Sequence, residues 1–331
     1  MLARVTSFIL QGVDGIPCEI ELDLIASDVA DATIVGLPDQ AVKESLERVR
    51  SAIFNEGYRL PPGRLLVNLA PANVRKEGPV YDLPVAVGLL MAGGAIRPAE
   101  RAPAVAMAGG VGETASFNGT GNGTGESVGL LEERPIEEPF RPDQCLIAGE
   151  LALDGRVRPV RGAIVLSTLA KQMGLPYVIV PAENAAEAAV VEGVSVIAVR
   201  TLSEVVGLFN GLLDVEPHPP VDVGALIANA KAEIDFGDVR GQEPVKRAIT
   251  VAAGGGHNLL MLGPPGTGKS MMAKAFPGIL PPMTADEALE VTRIYSIAGR
   301  LTGGGSEETG LVTTRPVRAP HHTASATAVI G

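Results

Sequence analysis

Eight consecutive residues have the types and spacing of a phosphate-binding loop. The stretch Gly263-Pro-Pro-Gly-Thr-Gly-Lys-Ser270 matches the pattern GxxxxGK[ST] of nucleotide triphosphatases. Gly266 and Gly268 permit backbone conformations in which N–H groups point at phosphate oxygens. Lys269 would reach the β- and γ-phosphates, and the Ser270 hydroxyl would bind Mg²⁺. The sequence therefore predicts an ATP–Mg²⁺ site at Gly263, Pro264, Pro265, Gly266, Thr267, Gly268, Lys269 and Ser270.

The residues on either side of this loop support the prediction. Leu259 to Leu262 is an apolar run of the kind that a buried parallel strand requires. Met271 to Phe276 is typical of a helix, which Pro277 and Gly278 would end. The expected order of strand, loop and helix distinguishes this motif from an ordinary turn rich in glycine and proline.

Hydrolysis needs more than the loop. An ATPase of this kind also places an acidic residue at the end of a second apolar strand, where it holds the magnesium shell. The sequence between Met271 and Gly331 has no apolar run that ends in Asp or Glu. Asp286 and Glu287 follow polar residues and indicate the start of a helix. We therefore predict nucleotide binding, assign no catalytic residue and leave ATPase activity open.

Composition restricts the class of protein. The 331 residues are 46% hydrophobic and carry a net charge of −11, which argues against a globally basic nucleic-acid-binding protein. Cys18 and Cys145 are too few and too far apart for a disulfide framework, which favours a reducing compartment. The longest apolar stretch, residues 83–96, is too short to span a bilayer, and the N-terminus does not resemble a signal peptide. We expect a cytoplasmic protein that has no membrane partner.

Hydrophobic patterns predict an α/β fold. Residues 16–24 alternate as a half-buried strand, after a turn at Asp14-Gly15, and residues 41–55 form an amphipathic helix. Asp82 is expected to cap a further helix. Residues 146–153 are typical of one strand, at the start of alternating strands and helices that include a helix at residues 163–173.

Proline and glycine content suggests where the domains divide. Three prolines between residues 214 and 220 are typical of a linker. We predict a first domain at residues 1–213, a linker at 214–235 and a second domain at 236–331. Residues 117–139, which are rich in glycine, proline and acidic side chains, are expected to be a flexible insertion.

Three stretches of the second domain point to a family. Phe236 to Gln242, followed by a helix and then the phosphate loop, resembles AAA+ ATPases. Val291 to Gly299 and Arg315 to Ser325 make the chain similar to the magnesium-chelatase-like AAA+ family of the ComM (YifB) type. The resemblance implies a P-loop ATPase module, with Gln242 near the adenine. It also implies a hexameric, ATP-driven motor that acts on branched DNA during transformation or recombination.

The same resemblance sets an expectation about length. Relatives continue beyond the position of Gly331 into the acidic magnesium-side motif, a polar sensor and an arginine finger. We therefore expect this chain to be C-terminally truncated and to hold only the first part of an AAA+ module.

The first domain resembles the Lon-protease-type, ribosomal-protein-like fold that this family carries. The matching stretches are residues 76–79, 149–162 and 179–184. Lon proteases use a Ser–Lys dyad. The motifs place its two positions near Val80 and Leu166, and nearby Ser167 and Lys171 do not match the pattern. The resemblance therefore implies the fold without the peptidase.

Four arginines leave two interpretations open. Arg293, Arg300, Arg315 and Arg318 are either a solvated, salt-bridged surface or contacts to a DNA backbone. Three functions remain at this stage. They are a DNA motor, a chelatase-type ATPase that inserts Mg²⁺ into a porphyrin with partner subunits, and a nucleotide-binding chain without catalysis.

Overall fold

The computed structural model describes residues 2–27, 31–97, 140–232, 234–301, 310–320 and 323–325. The insertion predicted at residues 117–139 lies outside the described residues. The strands are β1 Leu2–Gln11, β2 Asp14–Ala26, β3 Asp31–Val35, β4 Gly63–Ala70, β5 Cys145–Ile147, β6 Glu150–Leu151, β7 Val157–Arg158, β8 Tyr177–Pro181 and β9 Ser195–Val199. The α-helices are α1 Gln40–Asn55, α2 Asp82–Ala92, α3 Ala163–Met173, α4 Ala185–Ala188, α5 Leu202–Phe209, α6 Val223–Ala228, α7 Glu243–Gly255, α8 Lys269–Ala275 and α9 Ala285–Ile297.

The mixed α/β prediction is confirmed, with one mainly antiparallel sheet, one parallel sheet and a two-stranded antiparallel sheet of β6 and β7. The first sheet has the order β1-β2-β4-β3, and the second has the order β5-β8-β9. Strand β2 alternates as predicted, with Cys18, Ile20 and Leu22 buried on one face. The predicted turn position is wrong by two residues. Because Gln11 pairs with Asp14, the turn lies at Gly12 and Val13, and Gly12 adopts a φ of 63°.

The parallel sheet is buried on both faces, as such sheets usually are. Ile147, Ile179 and Ile197 face a core that they share with the first sheet, α1, α2 and α5. Leu146, Val178 and Val196 face a second core, formed with α3, α4 and α9. One sheet therefore separates the two large cores of the molecule.

The single strand predicted at residues 146–153 is wrong, because Gly149 interrupts it. The Gly149 N–H donates to the carbonyl of Val80 at 3.1 Å, and its carbonyl accepts from the N–H of Leu83 at 3.0 Å. These bonds to the start of α2 divide the run into β5 and β6.

Asp82 is buried and ion-paired, and the predicted helix cap is wrong. Its carboxylate accepts two hydrogen bonds from Arg48, at 2.8 and 2.9 Å, and one from the N–H of Leu151. Burial raises the pKa of Asp82, and the bonds from Arg48 oppose that shift. The pair joins α1 to the first turn of α2.

The structure divides into two packing units, and α9 packs against the larger one. We call "the body" the described residues between 2 and 228, which supply most of both large cores. We call "the small lobe" residues 234–277, which contain a third core formed around Val239, Ile249, Met272 and Ala275. The predicted domain bounds remain a prediction. In the described part of the chain, no helix is long and apolar enough to cross a membrane.

Candidate functional site

The predicted phosphate loop leads directly into a helix. Gly266 and Gly268 both adopt a φ of 84°, a left-handed conformation that favours glycine over any residue with a side chain. Helix α8 begins at Lys269, and the predicted end near Pro277 is confirmed by a 3₁₀ turn at Phe276–Ile279. The loop therefore turns through two left-handed glycines directly into a helix.

The Lys269 side chain folds back over the loop. Its ammonium donates to the carbonyls of Gly263 and Pro264, both at 2.8 Å, and contacts the Thr267 hydroxyl at 3.3 Å. Thr267 donates in turn to the carbonyl of Pro264 at 3.0 Å. No carboxylate among the described residues forms a salt bridge with Lys269. The positive charge is thus held by neutral oxygens and stays available to an anion.

Gln242 lies beside this loop although it precedes it by 21 residues. Gln242 has a φ of 60°, follows Gly241 with a φ of 70°, and comes directly before α7. Gln242 and Lys269 line the same cavity, which has a volume of about 410 Å³. The cavity is lined by Gln242, Pro244, Val245, Ala248, Leu259, Leu260, Met261, Leu262, Gly263, Pro264, Thr267, Lys269 and Met272.

The contribution of α7 to this cavity was not predicted from the sequence. Pro244, Val245 and Ala248 come from α7, whose spacing of one and three residues places them along one side of a helix. The spacing of these three residues is visible in the sequence, but only the fold shows that they line this cavity. These apolar groups give the cavity a non-polar part of its lining.

The buried strand predicted at Leu259 to Leu262 is wrong. The segment has no assigned strand, and Leu260 and Leu262 are 81% and 85% exposed. A parallel strand needs a hydrogen-bonded neighbour, and no strand of the described chain pairs with this segment. The cavity is therefore open on this side.

The donor chemistry fits a nucleotide with magnesium. Ser270 is exposed at the start of α8 and offers an oxygen, the atom type that Mg²⁺ prefers. Phosphate and water oxygens would complete the shell. Among the described residues, no group of three or more His, Cys, Asp or Glu side chains could hold a metal ion.

The four arginines interpreted as either a salt-bridged surface or DNA contacts have different surroundings. Arg293 lies 3.6 Å from Asp14, and Arg315 lies 2.8 Å from Glu287. The Arg318 guanidinium lies over the ring of Tyr295, 5.1 Å from its centre. Arg300 and Arg318 are exposed. Two of the four thus make ion pairs within the protein, and the other two face solvent.

The positions aligned with the Lon dyad lie in or beside hydrophobic packing. Leu166 is fully buried in the second core, and Val80 packs against both cores. Ser167 is also fully buried, whereas Lys171 is exposed on the same helix. Neither aligned position offers a nucleophile or a base.

Two family models match this chain. The model described as "Magnesium chelatase, subunit ChlI" matches residues 235–331, and the one described as "Subunit ChlI of Mg-chelatase" matches residues 20–122 and 125–184. The chain belongs to the magnesium-chelatase-like ComM/YifB family.

Similar proteins of this family come from several bacteria. An uncharacterized protein of Mycobacterium tuberculosis is 37% identical over 330 residues, which is 100% of this chain and 56% of the relative. The uncharacterized protein YifB of Escherichia coli is 35% identical over 320 residues, 97% of this chain and 53% of the relative. The competence protein ComM of Haemophilus influenzae is 34% identical over 331 residues, with 100% and 56% covered. The chain spans about half the length of the curated relatives it matches.

Proposed function

We propose that this chain binds ATP and Mg²⁺ through residues 263–270 and Gln242, as part of an AAA+ module. The observation that carries the proposal is the position of the Lys269 ammonium, which lies in a glycine-rich loop at the mouth of a cavity that Gln242 also lines. Family membership supports the use of a nucleotide with magnesium.

The loop residues would hold the phosphates as follows. Lys269 would exchange its contacts with the carbonyls of Gly263 and Pro264 for phosphate oxygens. Gly266 and Gly268 let the backbone approach closely enough for N–H groups to donate. Ser270 would bind the metal, which neutralises phosphate charge. Gln242 would lie beside the base, against the apolar wall from α7.

For the whole protein we propose an ATP-driven hexameric motor that acts on branched DNA in the cytoplasm, in transformation or recombination. The name of the Haemophilus influenzae relative, a competence protein, supports this role. Arg300 and Arg318 are the best candidates for phosphate-backbone contacts, because both residues are exposed and neither forms an ion pair among the described residues. An intact family member without DNA-stimulated ATPase activity and without strand displacement would contradict it.

A second candidate is a chelatase-type ATPase subunit. Both matching family models carry the description of a magnesium chelatase subunit, which favours this function. The test is ATP-dependent insertion of Mg²⁺ into a porphyrin by the intact protein with its partner subunits. Insertion would establish this function in place of the DNA motor.

The N-terminal part of the body is proposed to have the Lon-type fold without peptidase activity. The aliphatic side chains of Val80 and Leu166 at the aligned positions support the absence of peptidase activity. Cleavage of an unfolded protein substrate by the purified chain would refute it.

Nucleotide binding can be tested on the chain itself. A fluorescent ATP analogue is titrated with Mg²⁺ into wild type, Lys269→Ala and Lys274→Ala. Lys274 is the matched control, because it is an exposed lysine on the same helix and does not line the cavity. We expect Lys269→Ala to weaken binding at least tenfold and Lys274→Ala to bind like wild type. Equal binding by all three proteins would exclude the loop as the site.

A further inference from the structure

The chain enters and leaves the small lobe at one place. A methyl group placed on Gly278 would lie 2.7 Å from the Cβ of Ala232, so the incoming and outgoing segments touch. On the body side of this contact, α6 packs against α9, and both helices contribute to the second core. We call residues 229–232 and 278–283 "the neck". The lobe is thus attached to the body through two adjacent segments.

Helix α9 is fixed to the body by a buried hydrogen-bond network. The Ser296 hydroxyl donates to the carboxylate of Glu187 and accepts from the N–H of Gly162 at 2.9 Å. Glu187 also accepts from the N–H of Ile164 at 2.9 Å and from the amide of Asn184 at 3.1 Å. Ser296 and Glu187 are 3% and 7% exposed. We call Ser296, Glu187 and Asn184 "the latch".

Two further contacts hold α9 in the same position. Arg293, one turn before Ser296, lies 3.6 Å from Asp14 at the start of β2. Thr292 is fully buried and accepts a hydrogen bond from the N–H of Val312 at 2.9 Å. The helix is therefore positioned by the body on one side and by the returning chain on the other.

The other end of α9 is tied to the neck. Arg315 donates to the carbonyls of Pro281 and Pro282, at 2.8 and 3.4 Å, and to the carboxylate of Glu287 in the first turn of α9. Glu287 also accepts from the N–H of Thr284 in a capping box. Arg315 therefore connects the neck directly to the start of α9.

We infer that α9 links the phosphate loop to the body, with Ser296, Glu187 and Asn184 as positioning residues at its far end. The inference rests on the proposed nucleotide binding. Helix α8 follows the loop directly and continues through the 3₁₀ turn at Phe276–Ile279 into the neck. A change at the loop then reaches Glu187 through the neck, Arg315 and α9. Coupling of this kind is reciprocal, so the latch also affects nucleotide affinity.

The test compares Ser296→Ala with Ser203→Ala. Ser203 is a matched control, because it also donates to a glutamate, Glu56, but lies on α5 within the body. Asp14→Asn is a second variant, which weakens the same interface at an exposed position and carries little risk to folding. For each protein, amide hydrogen exchange is measured with and without an ATP analogue and Mg²⁺. Nucleotide affinity is measured separately by fluorescence titration.

The expected result is a nucleotide effect that crosses the neck. In wild type and Ser203→Ala, nucleotide should slow exchange in residues 163–170 of the body severalfold. In Ser296→Ala this slowing should disappear, and nucleotide affinity should change by about fivefold or more. In Asp14→Asn the slowing and the affinity should change in the same direction but by less.

Three different results would overturn the inference, and they can be told apart. If wild type binds nucleotide but slowing is confined to residues 239–280, the link is wrong and the proposed binding stands. If wild type binds no nucleotide, the proposed function fails, and the inference fails with it. Unchanged affinity and unchanged slowing in Ser296→Ala would also contradict the role of the latch.

Discussion

Arg48 donates two hydrogen bonds to Asp82, at 2.8 and 2.9 Å, across the contact between α1 and α2. The Asp82 carboxylate is fully buried, and the Arg48 side chain is 25% exposed. Removing one member of a buried pair leaves an uncompensated charge. We therefore expect Arg48→Met to lower the free energy of unfolding by about 3–5 kcal/mol, as measured by urea denaturation.

The control for this change is Arg50→Met on the same helix. Arg50 forms an exposed pair with Glu47 at 3.6 Å, a contact that contributes little stability. A loss of less than about 0.5 kcal/mol is expected there. Equal losses in the two variants would show that the buried pair has no special role.

Gly310 is expected to tolerate no side chain. It has a φ of 64°, and a methyl group at this position would lie 2.3 Å from backbone atoms of Ala186 and Glu187. Gly310→Ala should therefore lower the free energy of unfolding by about 1–3 kcal/mol, from both strain and displacement of the chain from α4. Gly174→Ala is the control, since Gly174 has a φ of 69° but no atom within 4 Å of the added methyl. Thermal unfolding that ranks the two variants in the reverse order would count against this packing.

Both cysteines are expected to be unreactive in the folded protein. Burial raises the pKa of Cys18 to about 12, and burial also raises the pKa of Cys145. The thiolate is the reactive form, so little of it exists at pH 8. A thiol reagent at pH 8 should label neither residue within minutes, and should label both in denaturant. Rapid labelling of one thiol without denaturant would show that its surroundings open readily.

Glu287 should make stability depend on pH in the acid range. Its hydrogen bond from the Thr284 N–H, and then Arg315, hold the pKa of this carboxyl below its ordinary value. A lowered folded-state pKa adds stability that is complete above the unfolded pKa, about 4.3. This stability is lost as pH falls through the folded value. The stability difference between wild type and Glu287→Gln should therefore shrink below about pH 4.

The matched variant for this titration is Glu290→Gln, an exposed carboxyl on the same helix. Denaturant unfolding is measured for all three proteins from about pH 3 to pH 7, an interval that includes the pH at which carboxyl groups titrate. Glu290→Gln removes an exposed carboxyl from α9 and leaves the bonds of Glu287 to Thr284 and Arg315 in place. A Glu287→Gln curve parallel to wild type throughout would show that the interaction with Thr284 and Arg315 does not favour the charged form.

Local patterns in the sequence predicted the elements whose determinants are local. Helix α3 has the predicted bounds, Ala163–Met173. Its apolar spacing and the left-handed Gly174 that follows it are both local features of the sequence. The capping box at Thr284 likewise fixes the start of α9, as the polar residues around Asp286 indicated. The glycine turn that leads into α8 was predictable for the same reason, since its residues are consecutive.

Features that depend on distant partners were not predictable. The run at Leu259 to Leu262 has the composition of a buried strand, but composition does not supply the neighbouring strand. Asp82 has the type of a capping residue, and only the fold shows that Arg48 lies opposite. Ser296 and Glu187 are 109 residues apart, and neither has a local pattern that indicates the other.

The contact between Ala232 and Gly278 has a mechanical consequence. A unit whose two ends emerge at opposite poles is stretched when its attachments are pulled apart. The small lobe has both attachments at one point, so a load on it becomes a torque about that point. A force that acts on the phosphate loop would therefore tend to rotate the small lobe about this contact.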